Sequence, residues 1–134
     1  LDTDTLIYWL KGAPAIVDRI AAEGPKALSA SIISKAELFY GAYRSQRVEK
    51  NIKAVKKLAK TIKFLELDET AQELFGRIKA DLQKRGKVIE DNDIFIAATA
   101  IASHRTLITN NTRHFERIDG LKTENWLIDF DSEN

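Results

Sequence analysis

Two acids two residues apart open the chain, Asp2 and Asp4 in LDTDTLIYWLKG. The same spacing returns at Asp91 and Asp93 in DNDIFIAATAIA. Like charges that close repel, so a fold keeps them for a solvated turn, a helix cap or a cation. Glu37, in SIISKAELFYGAYRS, and the pair Asn110-Asn111, after TLIT, add further oxygen donors. Each of these positions follows a strand-like segment: Asp2 the first, Glu37 ALSASIIS, Asp91 and Asp93 KVIE, and the asparagines TLIT. Carboxylates gathered at one point raise each other's pKa unless a cation neutralises them. A hard divalent ion with oxygen ligands, Mg²⁺ or Mn²⁺, suits such a set. The usual work of such an ion is to activate water and to stabilise an in-line displacement at phosphorus.

For these residues to meet, the elements between them must be strands alternating with helices. After Asp4 or Thr5 as N-cap, LIYWLKG reads as a short helix stopped by Gly12. Pro14 belongs to the first turn of a second helix that ends at Gly24. ALSASI reads as a strand, followed by a helix from Ser34 through Tyr43. Residues 47–62 carry Val48, Ile52, Val55, Ala59 and Ile62 on one helical face. KFLEL reads as a strand, and Asp68 caps a helix that closes near Gly86. DNDIFIAATAIA is apolar on almost every side, which predicts a buried helix. TLIT and TENWLI read as the last strands. Such alternation predicts an α/β fold, a mainly parallel sheet between helical layers, and ligands bind such sheets at the carboxyl ends of the strands. All the acids then converge on one rim.

The bulk numbers bound the function. At 134 residues the chain is long enough for a sizeable core and is expected to form one domain over residues 1–134. A net charge of +1 and a pI near 8.1 are far from the balance of a protein that coats nucleic acid, so any such role is local. With no cysteine, disulfide frameworks, zinc ribbons and a thiol nucleophile are excluded, which fits a reducing compartment. No apolar run approaches the ~20 residues of a membrane span. There is no methionine, and Leu1 is not a residue before which an initiator is normally trimmed. The expectation is that Leu1-Asp2 is the tail of a first strand truncated at the N-terminus.

Each candidate also has a plainer local reading. Ser34-Lys35-Ala36-Glu37 has the form of a capping box, in which Glu37 only holds a helix start. Asp4, Asp68 and Asp91 suit N-caps, and Asp93 is favoured near a helix N-terminus by the dipole alone. The asparagine pair suits a turn. His104 and His114 have no spaced partner and read as surface or packing residues. The lysines of EKNIKAVKKLAKTIK read as the solvated face of an amphipathic helix rather than an RNA contact. Arg113 and Arg117, beside the asparagine turn, are better placed to meet a phosphate. Convergence of the acids is what raises the metal reading above these.

Taken in order, LDTDTLIYWLKG, SIISKAELFYGAYRS, DNDIFIAATAIA and TLITNNTRHFERIDGLKTENW resemble the PIN-domain ribonucleases, specifically VapC-type toxins of bacterial toxin–antitoxin pairs. The resemblance covers nearly the whole chain. It implies a compact α/β/α domain and Mg²⁺- or Mn²⁺-dependent cleavage of RNA, typically tRNA or ribosomal RNA. It also implies a homodimer, a VapB-type antitoxin that blocks the active site, and a cytoplasmic location. Carried over, Asp2, Glu37 and Asp93 match the family's first three acids. The fourth position, often Asp, is Asn111 here, which adds no charge; Asp91 is the candidate to supply the missing carboxylate. Asp4 is read as a helix cap or as an acid that orients the site through its neighbours.

Two rival readings stand beside this one. The opening D-x-D-x pattern of Asp2 and Asp4 resembles haloacid-dehalogenase-like phosphatases, although the fifth position is Leu6 and the further acidic pair of a longer chain is missing. The other rival is a binding or regulatory domain without a metal, suggested by Asn111.

Overall fold

A computed structural model describes residues 1–127 of the chain. Helix α1 spans Thr3–Leu10 and α2 Pro14–Glu23, followed by a 3-10 turn at Pro25–Ala27. Strand β1 is Ser29–Ser31, α3 Ile32–Tyr43, α4 Val48–Thr61 and β2 Lys63–Leu65. Helix α5 covers Glu69–Lys84 and α6 Asp91–Ala102; β3 is Leu107–Ile108, α7 Thr112–Phe115 and β4 Thr123–Glu124.

Strands β1 and β2 pair in parallel, Ala30 opposite Phe64, and β3 pairs with β4 in parallel, Leu107 opposite Thr123. The two pairs are linked by the first residues of the chain. The Leu1 nitrogen donates to Ser29 O at 2.7 Å and Asp2 N to Ile108 O at 2.8 Å. Leu1-Asp2 therefore lies between β1 and β3, so the carboxyl ends of three neighbouring segments reach one rim.

Neighbouring residues of a strand point to opposite faces, and β3 shows that two faces are covered. Ile108 packs with Leu6, Ile16, Ile20, Leu38, Val55 and Leu58, from α1 to α4. Leu107 packs with Leu82, Ile94, Ile96, Ala97, Phe115 and Ile118, from α5 to α7 and the turn after it. The result is three layers, α/β/α, with the sheet in the middle. Helix α6 is buried as its composition requires: Ile94 and every residue from Ile96 to Ala100 are buried. At each fully burying Ile or Leu position such packing contributes roughly 1.5–3 kcal/mol.

Most elements fall where the hydrophobic pattern puts them, and the differences have physical causes. Helix α3 begins two residues before its predicted start: Ile32 is its first residue, and Ser31 caps it by accepting from Ile33 N at 3.1 Å. Ser34 is thus inside the helix and fully buried, and no capping box forms. Helix α1 is capped by Asp2, not by Asp4 or Thr5; its Oδ1 accepts from Thr3 N at 2.8 Å. Helix α6 is preceded by Glu90 without a side-chain cap, so Asp91 is its first residue rather than its cap. KVIE is irregular rather than strand-like, because its groups are held by side chains. Arg117 Nη1 donates to Val88 O at 3.2 Å, and Ile89 is buried in the core. The expected strand TENWLI is reduced to Thr123–Glu124; Trp126 and Leu127 are helical, and Ile128 lies outside the described residues.

Candidate active site

Asp2 is 6% exposed and held at both carboxylate oxygens. Oδ1 caps α1 through Thr3 N, and Oδ2 accepts from Thr109 Oγ1 at 2.8 Å. Thr109 follows β3, is fully buried, and receives Asn111 N on the same hydroxyl at 3.0 Å. Helix start and strand end are thereby tied together through one carboxylate.

Glu37 reaches the same rim from the second turn of α3. Thr3 Oγ1 lies 2.8 Å from both Glu37 Oε1 and Ser34 Oγ. A threonine hydroxyl has one proton, and the carboxylate is the stronger acceptor. The hydroxyls then run Ser34 to Thr3 to Glu37. Asn92, in the first turn of α6, donates to the same Glu37. Glu37 is therefore bound to α1 and α6 and caps nothing.

Asp93 arrives on the first turn of α6, half-buried, with Oδ2 3.1 Å from His114 Nε2. Burial pushes its pKa up, and the charge of Asp2 pushes it further. Glu37 is raised for the same first reason, burial, with Asp93 and Asp2 adding to it. Asp4, in the first turn of α1, is pushed up to about 6 by burial and by Asp2. Asp2, Asp4, Glu37 and Asp93 thus share one electrostatic field, with Asp2 at its centre.

The other predicted residues lie apart. Asp91 is exposed and paired with Lys79 of α5 at 2.9 Å. Asn111 is exposed and reaches the rim only through its backbone, by way of Thr109. Arg113 is exposed on α7, with no ion pair among the described residues. Arg117 holds Val88, and its own carbonyl accepts from Arg85 at 2.6 Å.

Sequence reasoning missed Thr3, Ser34, Asn92, Thr109 and above all His114, which was expected to be a surface or packing residue. A histidine twenty-one residues from its acid carries no local signal.

The donor set is one of hard oxygens under mutual repulsion, which fits Mg²⁺ or Mn²⁺ by chemistry. Among the described residues, no three acidic or histidine side chains are gathered closely enough to hold an ion as they stand. Charge coupling reaches across the rim, while each carboxylate is held by its own hydroxyl, amide or imidazole partner.

The PIN domain family matches residues 1–121. This chain belongs to the PIN-domain family. It is similar to Ribonuclease VapC2 of Haemophilus influenzae, 41% identical over 128 residues, covering 95% of this chain and 96% of that protein. It is also similar to the tRNA(fMet)-specific endonuclease VapC of Shigella flexneri, 35% identical over 94% of this chain and 96% of that protein. Among solved structures, DNA-bound VapBC from Salmonella typhimurium superposes with a TM-score of 0.88 at 32% identity, over 93% of this chain and 95% of that one. The α/β fold and the likeness to VapC ribonucleases are therefore as the resemblance implied. The phosphatase reading of Asp2 and Asp4 is set aside, because the PIN match covers both acids in a different architecture.

Proposed function

We propose that this chain is an endoribonuclease toxin of the VapC kind, hydrolysing phosphodiester bonds in RNA and neutralised by a cognate VapB-type antitoxin. The observation that carries this is Asp2, Glu37 and Asp93, which meet at one rim from the cap of α1, the second turn of α3 and the first turn of α6, in a PIN-domain chain similar over 95% of its length to a VapC ribonuclease.

In this reading Asp2, Glu37 and Asp93 would hold Mg²⁺ or Mn²⁺, which would supply charge neutralisation and an activated water. Thr3 and Asn92 fix Glu37, and Thr109 fixes Asp2, so the oxygens stay aimed at the rim. Arg113, exposed on α7, meets a phosphate of the RNA; Arg117 is tied to Val88 and contributes less. Asn111 and Asp91 are not assigned as ligands. tRNA is the first substrate class to test, since tRNA(fMet) is named for a relative. The antitoxin places a basic side chain among the three acids, where bidentate pairing with carboxylates suits Arg. Its apolar segment covers the shallow cleft of Trp9, Leu10, Ala54 and Leu58 and packs on the helices around Trp9 and Phe39, both partly buried against the same core. A homodimer and a cytoplasmic location belong to the same proposal. Tyr40 and Tyr43, 63% and 68% exposed on α3, offer a face for a second copy. Among the described residues no helix is long and apolar enough to cross a membrane.

The test is cleavage of total RNA by the purified chain, with and without Mn²⁺, followed by sequencing of the new ends. Discrete Mn²⁺-dependent ends are expected. RNA binding without cleavage, at any Mn²⁺ concentration, would leave the metal-free binding domain as the better reading.

A further inference from the structure

The segment from Thr109 to His114 reaches two rim acids that belong to different elements. At its start, Thr109 Oγ1 donates to Asp2 Oδ2 at 2.8 Å; at its end, His114 Nε2 lies 3.1 Å from Asp93 Oδ2. Between them, Asn111 takes part by its backbone amide, which donates to Thr109 Oγ1 at 3.0 Å. Asn111 therefore stands where the resemblance puts a fourth acid, yet what this segment brings to the rim is donors.

From this geometry we propose that His114 is a positioning residue for Asp93. With a proton on Nε2, the imidazole donates to Oδ2 and so holds the Asp93 carboxylate in place at the rim. The inference rests on the metal-dependent reading above. Three observations support it. Side-chain exposures of 23% for His114 and 29% for Asp93 leave the bond partly shielded from competing water. The imidazole is steadied by the edge of Phe115, with ring centroids 5.4 Å apart and planes at 77°. Phe115 is itself 1% exposed and anchored in the core under α6, so the ring is fixed to the same body that carries Asp93. With Nε2 engaged by Asp93, that nitrogen is not available to RNA, so the geometry favours orienting the acid over binding phosphate through it. Partners of this kind typically change metal affinity by about 10- to 100-fold.

The test compares His114→Leu, which keeps bulk against Phe115 but has no donor, with His114→Gln, whose amide donates at a similar reach. Mn²⁺ alone is titrated into each protein by calorimetry, and kcat and KM for RNA are measured separately. His114→Leu should bind Mn²⁺ at least about tenfold more weakly and lose kcat with KM unchanged. His114→Gln should stay within about threefold of the parent on both. If the leucine variant melts early, His114→Met serves as the non-donor. Equal Mn²⁺ affinity in parent and non-donor overturns the proposal while leaving the metal reading intact. So does a glutamine variant as weak as the non-donor, or a rise in KM at constant kcat. A parent that binds no Mn²⁺ overturns both.

Discussion

The starts of α1 and α6 use the same pattern, two aspartates separated by one residue, and assign it in opposite ways. In α1 the first acid, Asp2, is buried at the centre of the rim, and Asp4 lies beside it as a repelled neighbour. In α6 the second acid, Asp93, faces the rim, and the first, Asp91, turns outward to Lys79. Helix phase decides this. Asp2 precedes the first helical residue, whereas Asp91 is that residue, so the same spacing meets the rim one step later in the turn. A D-x-D pair is thus not one kind of site. What distinguishes the acids is the partner each finds: Thr109 for Asp2, His114 for Asp93, solvent and a lysine for Asp91.

The sharpest way to break this comparison is to neutralise the inward acid of α6. Asp93→Asn should lower RNA cleavage by about 10²- to 10³-fold, the scale of losing a principal electrostatic contact. The fold should survive, because Asp93 carries repulsion as well as a hydrogen bond. Cleavage assays with circular dichroism melts report both. Parent-like cleavage would move the site elsewhere.

Glu37→Gln is the next largest. Glutamine serves as well as glutamate in a capping box, but here Ser31 caps α3 and Glu37 stands in its second turn. We expect activity to fall by about 10²-fold, again as an electrostatic loss, with little change in melting temperature. Wild-type activity would return Glu37 to a purely structural role.

How much of this was legible beforehand follows from the kind of signal involved. Helices α4 and α5 were readable because burial follows a period of 3.6 residues, and α6 because its residues are apolar on almost every side. Glu37 was readable as a candidate rim acid, and its rival reading as a capping residue arose because Ser34-Lys35-Ala36-Glu37 satisfies that motif locally. Only the parallel pairing of β1 with β2, which fixes where the chain turns into α3, moves the cap back to Ser31. KVIE had strand-like residues but is held as a loop, with Val88 O accepting from Arg117. The hydroxyls of Thr3, Ser34 and Thr109 and the imidazole of His114 carry no pattern at all. Their meaning comes from which acid the fold sets beside them.

The Asp2–Asp4 pair gives a smaller effect with a definite sign. The Asp4 carboxyl rises from 3.8 to about 6 on folding, and Glu37 and Asp93 move in the same direction. The folded state therefore holds more protons than the unfolded state between those values, and stability falls as pH rises. In EDTA, these acids should lower the melting temperature from about pH 4 to about pH 6. Asp4→Asn removes one contribution, so at pH 7 it should stabilise by ~1–2 kcal/mol, discounted for partial exposure. That corresponds to a few degrees, roughly 3–6 °C. Thermal melts of both proteins from pH 4 to 8 measure it, and a variant that parallels the parent at every pH would place Asp4 outside the shared field.

The smallest effect belongs to Asp91, and it sharpens the comparison most directly because the residue is one turn-step from Asp93. Asp91 and Lys79 are 54% and 40% exposed at their side chains, with 2.9 Å between charges. Exposed pairs contribute ~0–1 kcal/mol, and an acid at a helix start adds a few tenths through the dipole, roughly 0.3–1 kcal/mol at most. Asp91→Asn should therefore leave cleavage within about twofold, well inside the scale of an electrostatic ligand, and shift the melt by only a degree or two, ~0.5 kcal/mol. Mn²⁺ affinity by calorimetry is the decisive measurement. Should Asp91→Asn weaken Mn²⁺ tenfold, the side chain must leave Lys79 and turn toward the rim when the ion binds, supplying the charge that Asn111 lacks. The variant Asn111→Asp would then restore affinity in the Asp91→Asn background. If instead Asp91→Asn is silent and Asn111→Asp still tightens Mn²⁺, the missing fourth charge is not replaced by Asp91.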